Sequence, residues 1–188
     1  MEDFMKDLGA KTLFFPMPVL IIGTYDKDGK PNAMNAAWGG IADENQIWVC
    51  LDKSHATTKN IALTKEATIA FATTETLKAS DYVGITSANK VPDKIAKAGL
   101  TASKSKNVNA PIFAQYPLTL ECRLVKLLDE EKHLFQIINV VADEKILTAD
   151  GKVDLEKFRP LIFDCSGHGY YEFGKRAGNA FSDGKDLA

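Results

Sequence analysis

The segment PVLIIGTYDKDGKPNAMNAAWGG, residues 18–40, decides the fold. It opens with PVLIIGTY, a continuous run of apolar and β-branched residues that is typical of a buried strand. The turn DKDGK follows, and its Asp28-Gly29 pair is a strong signal for a β-hairpin. The rest of the segment, PNAMNAAWGG, is therefore predicted to return antiparallel to the first strand.

Further apolar runs predict a protein made mainly of strands. In the run that begins at Leu118, the residues Leu120, Cys122 and Leu124 fall on one face. The turn DEEK joins this strand to the next one as a hairpin. The other predicted strands are QIWVCL at 46–51, ATIAFAT at 67–73, HLFQIINVVADEKIL at 133–147, RPLIFDC at 159–165 and GYYEFG at 169–174.

The middle of the chain is more polar and is predicted to be helical. One helix is predicted over 75–85, and a second over PDKIAKAGL, with Pro92 at its first position and Gly99 just beyond its end. The stretch SKSKNVNAP, residues 103–111, is rich in turn residues and has no clear helix or strand signal. Strands, then helices, then strands again indicate an antiparallel β-barrel with helical insertions rather than a doubly wound sheet.

Length and composition are those of an ordinary globular protein. The 188 residues are 45% apolar and 26% charged, with a net charge of −2, so we expect one domain over residues 1–188. There is no basic stripe of the kind that nucleic-acid binding needs. No apolar stretch approaches the roughly 18 residues of a membrane span, and the N-terminus does not resemble a signal peptide. A cytoplasmic protein with free, buried thiols at Cys50, Cys122 and Cys165 is expected.

Common local motifs for nucleotide, metal and nucleophile sites are missing from the sequence. No G-x-G-x-x-G follows a strand and no G-x-x-x-x-G-K-[ST] loop is present, which argues against a doubly wound dinucleotide site and a nucleoside triphosphatase. There is no G-x-S-x-G. The stretch CSGH at 165–168 could form half of a zinc site, but no second pair of ligands accompanies it. No metal is predicted.

Residues 32–61 carry the most informative pattern. The small residues of NAMNAAWGG would let a flat ring approach the backbone, but they would also suit tightly packed strands. The stretch HATTKNIALTKE predicts a short helix that begins near Thr57, with Lys53 and Ser54 just before it. Free N–H groups and the helix dipole at such an end could hold a phosphate. The alternative is an ordinary threonine N-cap beside a solvated lysine.

Three stretches resemble the flavoredoxin branch of the flavin reductase-like family, whose members have an FMN-binding split β-barrel. They are MPVLIIGTYDKDGKPNAMNAAWGG, IWVCLDKSHATTKNI and PLIFDCSGHGYYEFGKRAGNAFSDGK, and together they span nearly the whole chain. Their order and spacing match as well as their residues. The resemblance implies a mainly β fold, a split antiparallel barrel with helical insertions, and usually a homodimer with the flavin near the subunit interface.

The resemblance also implies which residues bind the cofactor. Four residues would line the isoalloxazine ring, largely through backbone groups, and four would hold the ribityl phosphate. Two lysines fall where this branch often places a further flavin or phosphate contact, although both could equally lie on a solvated helix face. These sets are Met34, Asn35, Ala36 and Ala37 for the ring, Lys53, Ser54, His55 and Thr57 for the phosphate, and Lys90 and Lys94 for the further contact.

Related short flavin reductases carry a D-H-x-I-x-x-G-x-V strand with its histidine on the nicotinamide side. The matching run here is KHLFQIINV, which makes His133 the candidate catalytic residue. Lys132 replaces the family's Asp and Ile138 replaces its Gly. Because of this departure, either NAD(P)H or a redox protein such as a ferredoxin is expected to supply electrons.

The function implied is that of a flavoprotein oxidoreductase, in which bound FMN passes electrons from a donor to an acceptor. Two alternatives remain open from the sequence. The first is an NAD(P)H:flavin reductase that releases reduced flavin to another enzyme. The second is a flavin-binding protein without enzymatic activity.

Overall fold

Strands are the commonest regular elements of the structure, a computed structural model that describes residues 5–187. The twelve strands of this part of the chain are β1 Met17–Pro18, β2 Leu20–Tyr25, β3 Pro31–Ala36, β4 Gly39–Asp43, β5 Gln46–Cys50, β6 Glu66–Phe71, β7 Ala102–Lys104, β8 Pro111–Phe113, β9 Leu118–Leu127, β10 Lys132–Ala142, β11 Leu161–Phe163 and β12 Tyr170–Glu172. The α-helices are α1 Ala56–Thr64, α2 Leu77–Ile85, α3 Lys94–Lys97 and α4 Leu155–Phe158.

The main sheet has seven antiparallel strands in the order β3-β2-β6-β9-β10-β5-β4. Its two edge strands, β3 and β4, are separated in the chain only by Ala37 and Trp38. A flat sheet of this width would place its edges roughly 29 Å apart, whereas three peptide units span at most about 11 Å. The sheet therefore curls until its edges meet, and the predicted split antiparallel barrel is confirmed.

The β2–β3 hairpin has the register that the opening segment predicts, from Leu20 opposite Ala36 to Tyr25 opposite Pro31. Asp26 Oδ1 accepts from the backbone N–H of Asp28 and Lys30, which orders the turn. Gly29 has a φ of +76°, a conformation that costs glycine little. The sequence signal at Asp28-Gly29 is thus confirmed.

Strand β2 is mostly apolar because both faces of the sheet are covered. Leu20 and Ile22 face the barrel interior with Val49, Ile69 and Phe135. Its alternate residues face a second apolar cluster, which packs under α2 and contains Val19, Ile21, Ala70, Val83 and Phe113. This second cluster holds α2 against the edge strand β3.

The long hairpin β9–β10 confirms the expected inward face of Leu120, Cys122 and Leu124. The opposite face of β9 is also covered, because the loop between β7 and β8 folds over Glu121. Strand β10 ends at Ala142, five residues earlier than its apolar pattern suggests. There Asp143 begins a 3-10 turn and accepts from the N–H of Lys145.

One helix start and one possible N-cap differ from prediction. Helix α3 begins at Lys94 after Asp93, so the placement of Pro92 at its first position is wrong, whereas Gly99 does follow the helix with a φ of +69°. Helix α1 begins at Ala56 with His55 as its N-cap. Neither Thr57 nor Thr58 is a cap, because both lie inside the first helical turn.

A small sheet pairs β1, near the start of the chain, with β11 and β12, near its end, and Met17 lies opposite Phe163. None of the three cysteines is in a disulfide, and Cys122 is buried as expected, but Cys50 and Cys165 are only partly buried. Among residues 5–187, no helix is long and apolar enough to cross a membrane.

Candidate functional site

A groove made of two separate cavities follows the outer edge of β3, the edge strand that the opening segment provides. Its wider part, here called the cleft, has a volume of 580 Å³, within the usual range for a small-molecule site. The cleft is bounded by the β3–β4 connection, the residues that follow β5, the end of α2, and the strands β11 and β12. Its lining includes Met34, Asn35, Ala36, Ala37, Trp38, His55, Asp81, Gly84, Ile85, Phe163 and Tyr170.

A second, smaller cavity of 160 Å³ adjoins the other end of β3. We call it the polar cavity, because its walls include Asn32, Lys59, Asn89 and Lys94, and Ala56 at the start of α1. Both cavities use β3 and the start of α1, and the cleft is lined by the end of α2 where the polar cavity is lined by the segment that follows it. They therefore lie in line along β3.

The cleft exposes backbone because β3 is a sheet edge. The outward N–H and C=O groups of an edge strand have no neighbouring strand to pair with. Ala36 and Ala37 carry only methyl groups, so a flat ligand can reach the backbone of this connection. The aromatic side chains of Trp38 and Phe163, with ring centroids 6.2 Å apart, provide apolar surface nearby.

Gly84 sets the distance between α2 and β3. A Cβ atom at this position would lie 2.9 Å from Asn35 Cβ, closer than real Cβ contacts allow. We therefore expect Gly84→Ala to push α2 away from β3, destabilising the protein by about 1–3 kcal/mol and weakening any ligand held in the cleft. Thermal unfolding and flavin titration measure both effects. Gly174→Ala is the matched control, because no atom lies within 4 Å of its added Cβ, and an equal loss there would contradict the explanation.

Lys94 is a buried cation in the wall of the polar cavity, with only 3% of its surface exposed. Its Nζ donates to the carbonyl oxygens of Val83 at 3.0 Å and Thr86 at 2.6 Å, where α2 ends. Burial lowers the pKa of Lys94 to about 8. The side chain thus carries a proton at neutral pH and has one further N–H to donate.

Asn32 and the start of α1 form another wall of the polar cavity. Asn32 Nδ2 donates to Thr57 Oγ1 at 2.8 Å, but the buried Asn32 Oδ1 has no partner in the part of the chain that the structure describes. No side chain caps α1, so its first N–H groups remain available to a ligand. Both features suit an oxygen-rich ligand.

Charge differs between the two cavities. The polar cavity carries three lysines, Lys30, Lys59 and Lys94, against the single carboxylate of Asp26. The cleft instead has carboxylates at Asp52, Asp81 and Glu131, and within residues 5–187 no lysine or arginine lines it. A ligand with one anionic end would therefore place that end in the polar cavity.

The predicted site residues are only partly brought together. Met34, Asn35, Ala36, Ala37 and His55 all line the cleft, and Lys94 lines the polar cavity. Thr57 is buried, and its hydroxyl is hydrogen-bonded to Asn32.

The remaining predicted residues lie outside both cavities. Lys53 is exposed and pairs with Glu130 at 2.8 Å, while the N–H of Ser54 donates to Asp52. Lys90 is exposed. His133 is buried, with Nδ1 2.8 Å from the carbonyl oxygen of Glu131 and its ring stacked on Phe135.

Sequence reasoning missed Asn32, Lys59 and Asn89 in the polar cavity, and Asp81, Gly84 and Tyr170 in the cleft. Asn32 could have been found from its place at the head of the NAMNAA motif. The others come from separate elements that only the fold brings together. Among the described residues, no group of three or more His, Cys, Asp or Glu could hold a metal ion.

Comparison with known proteins shows the family to which the chain belongs. Residues 12–166 match the model of the flavin reductase like domain, so the chain belongs to the flavin reductase-like family. It is similar to the flavoredoxin of Desulfovibrio vulgaris (Miyazaki F), with 36% identity, a TM-score of 0.93, and coverage of 97% of this chain and 100% of that one.

Two further solved structures are similar to this chain. A flavoredoxin from Methanosarcina acetivorans is 29% identical with a TM-score of 0.86, covering 98% of this chain and 100% of that one. An FMN-binding domain of a flavin reductases-like enzyme from Shewanella baltica OS155 is 22% identical with a TM-score of 0.77, covering 86% of this chain and 88% of that one. This last similarity concerns the fold alone.

Proposed function

We propose that this protein is an FMN-binding flavoprotein oxidoreductase of the flavoredoxin type, which passes electrons from a donor through bound flavin to an acceptor. One observation supports this function above the others: a backbone-lined, aromatic cavity and a lysine-lined cavity lie in line along β3. FMN has the matching shape, a flat ring joined by a ribityl chain to a phosphate. When bound, FMN supplies the redox chemistry, and the protein orients it and tunes it.

The ring of FMN fits the cleft. Backbone groups from Asn35 to Ala37 would meet the polar ring edge, and Trp38 and Phe163 would cover apolar surface. Trp38 is 44% exposed and Ile85 is 78% exposed in the chain by itself. A ligand in the cleft would bury part of this apolar surface, which is favourable by about 25 cal/mol per Å².

The ribityl phosphate fits the polar cavity. The unpartnered Asn32 Oδ1 would accept from a ribityl hydroxyl. The phosphate would meet the uncapped start of α1, including His55 and Thr57, together with Lys94 and Lys59. Lys53 and Ser54, the remaining members of the sequence motif, lie just before this helix and would need to reorient to join the phosphate site.

Variants of Lys59 and Lys53 distinguish a phosphate in the polar cavity from one at the sequence motif. We expect Lys59→Ala to weaken FMN about tenfold, as the loss of one hydrogen bond to a charged group implies, and Lys53→Ala to change FMN affinity less than threefold. Fluorescence titration of both variants measures the difference. A larger loss for Lys53→Ala would place the phosphate at the sequence motif, outside the polar cavity.

A homodimer is the proposed assembly. Apolar side chains are exposed on the adjacent strands β9 and β10 and on β4, and exposed apolar surface of this kind commonly marks a protein interface. These residues are Ile41, Val125, Leu127, Ile138 and Val140. Sedimentation equilibrium should give twice the chain mass of 20.6 kDa, and a mass of one chain would contradict this proposal.

The electron donor is either NAD(P)H or a redox protein. His133 is buried and is not among the described residues that line the cleft, which favours a redox protein over a nicotinamide contact at this residue. The test is the visible absorption spectrum of protein desalted after incubation with FMN. Retained flavin bands that a reduced ferredoxin or NAD(P)H bleaches, and that air restores, support the proposal, whereas a colourless protein contradicts it.

The NAD(P)H:flavin reductase alternative makes a different prediction. It requires steady turnover of excess free FMN with NAD(P)H and release of the reduced product. We expect no such turnover, because a phosphate held by Lys94 and the start of α1 favours retention. Sustained NAD(P)H oxidation that rises with added FMN would support the alternative. Bound flavin that no donor reduces would support a binding protein without enzymatic activity.

A further inference from the structure

The side-chain amide of Asn35 is held in one orientation. Its Nδ2 donates to the carbonyl oxygen of Ser80 at 3.1 Å and makes a weaker contact with the Tyr170 hydroxyl at 3.4 Å. Only the nitrogen can donate to a carbonyl, which settles the assignment of N and O in this amide. Oδ1 has no hydrogen-bond partner among the described residues. It is accessible to solvent, and therefore to a ligand.

Tyr170 joins this amide to helix α2. Its hydroxyl donates to Asp81 Oδ1 at 3.0 Å and is thereby oriented to accept from Asn35. Burial, together with the carboxylate of Asp81, raises the pKa of Tyr170, so the hydroxyl keeps its proton throughout the physiological range. Its ring packs on Phe163 with centroids 6.0 Å apart, which fixes Tyr170 on β12.

The cleft therefore offers an oriented acceptor at Asn35. Asn35 and Asp81 both line the cleft, and once Nδ2 is engaged the amide can only accept there. The ligand atom that faces Asn35 Oδ1 must therefore carry a hydrogen-bond donor, because an acceptor at that point would be left unpaired.

We propose that Asn35 is a specificity-determining residue that selects the ligand edge bearing an N–H, and that Tyr170 is the positioning residue that holds its amide. This inference rests on the proposed function. In oxidised FMN the ring has a single N–H, at N3 between two carbonyl groups. Asn35 Oδ1 accepts from that N–H, and the ring thus enters the cleft in one orientation.

The test compares FMN with its N3-methyl analogue, which keeps the phosphate and the flat ring but lacks the N–H. We expect the wild-type protein to bind the methylated ligand about tenfold or more weakly, as the loss of one buried hydrogen bond implies. Asn35→Ala should bind FMN more weakly than wild type and should no longer distinguish the two ligands. Tyr170→Phe should retain part of the discrimination, and Tyr171→Phe, a neighbouring exposed tyrosine, should retain all of it.

The outcomes separate this inference from the proposed function. If FMN binds and wild type takes the methylated analogue equally well, the role of Asn35 is wrong and FMN binding stands. If neither ligand binds, both proposals fail. The wild-type comparison needs no variant to fold, and discrimination between ligands would not change if Tyr170 only stabilised the fold.

Discussion

Lys94→Met lowers the affinity for FMN on the order of 100-fold and that for riboflavin only a few-fold. The methionine has a similar length but no charge and no N–H to donate. A phosphate in the polar cavity therefore loses one cation, and a hydrogen bond to a charged group contributes about 1.5–3 kcal/mol. Riboflavin lacks the phosphate, so it reports only the loosening of α2 when Val83 and Thr86 lose their donor. Fluorescence titration with both ligands measures the difference.

The pH dependence of binding provides a second readout. Only the protonated lysine attracts the phosphate, so the affinity of wild type for FMN should fall as pH rises through about 8, the pKa of Lys94. Lys94→Met should remove this decline. Lys97→Met is the matched control, because Lys97 lies on the same short helix but is exposed and pairs with Asp93. Equal losses for FMN and riboflavin in Lys94→Met would contradict a phosphate in the polar cavity.

Glu121→Ala destabilises the protein by about 3 kcal/mol, which for a chain of this size lowers Tm by roughly 6–12 °C. Glu121 is buried, and its carboxylate accepts from Ser105, from Asn107 at 2.6 Å and from Asn139 at 2.6 Å. Removing it leaves these three donors without their acceptor and releases the β7–β8 loop from the barrel. Thermal unfolding followed by circular dichroism measures the effect.

Acid unfolding tests the same carboxylate. Burial by itself would raise the pKa of Glu121, but the hydrogen bonds from Ser105, Asn139 and Asn107 outweigh it and hold the pKa below its usual value. The stabilisation is therefore present above the unfolded pKa of about 4.3 and is lost as pH falls through the folded pKa. Glu121→Ala should have a smaller decline over this range. Glu130→Ala, at an exposed ion pair, should cost less than 1 kcal/mol, and a similar cost in both variants would contradict the role of Glu121.

Local signals in the sequence were sufficient for the barrel. The β2–β3 hairpin follows from an apolar run and Asp28-Gly29, and the strand β9 follows from its alternation. Glu121 could not be found in this way. The alternation of β9 predicts that Glu121 points to the outer face of the sheet. Glu121 is buried only because the polar β7–β8 loop folds over it.

The residues of the candidate site also divide into those that a local sequence signal predicts and those that only tertiary packing brings in. Met34 to Ala37 were predictable because one continuous motif carries them, although their role in binding flavin is still a prediction. The opposite wall was not predictable, because Asp81 and Gly84 on α2 and Tyr170 on β12 lie far in the chain from that motif. Lys94 was named from the family resemblance, but its burial and its bonds to the end of α2 depend on tertiary packing.

The most direct test of the central claim, that the groove along β3 binds FMN by its ring and its phosphate, is a calorimetric titration of the wild-type protein with FMN and then with riboflavin. We expect one site per chain, with FMN bound at least tenfold more tightly than riboflavin at pH 7, since the phosphate meets Lys94, Lys59 and the start of α1. Equal dissociation constants would show that the polar cavity does not hold a phosphate. No saturable binding of either ligand would contradict the groove as a flavin site.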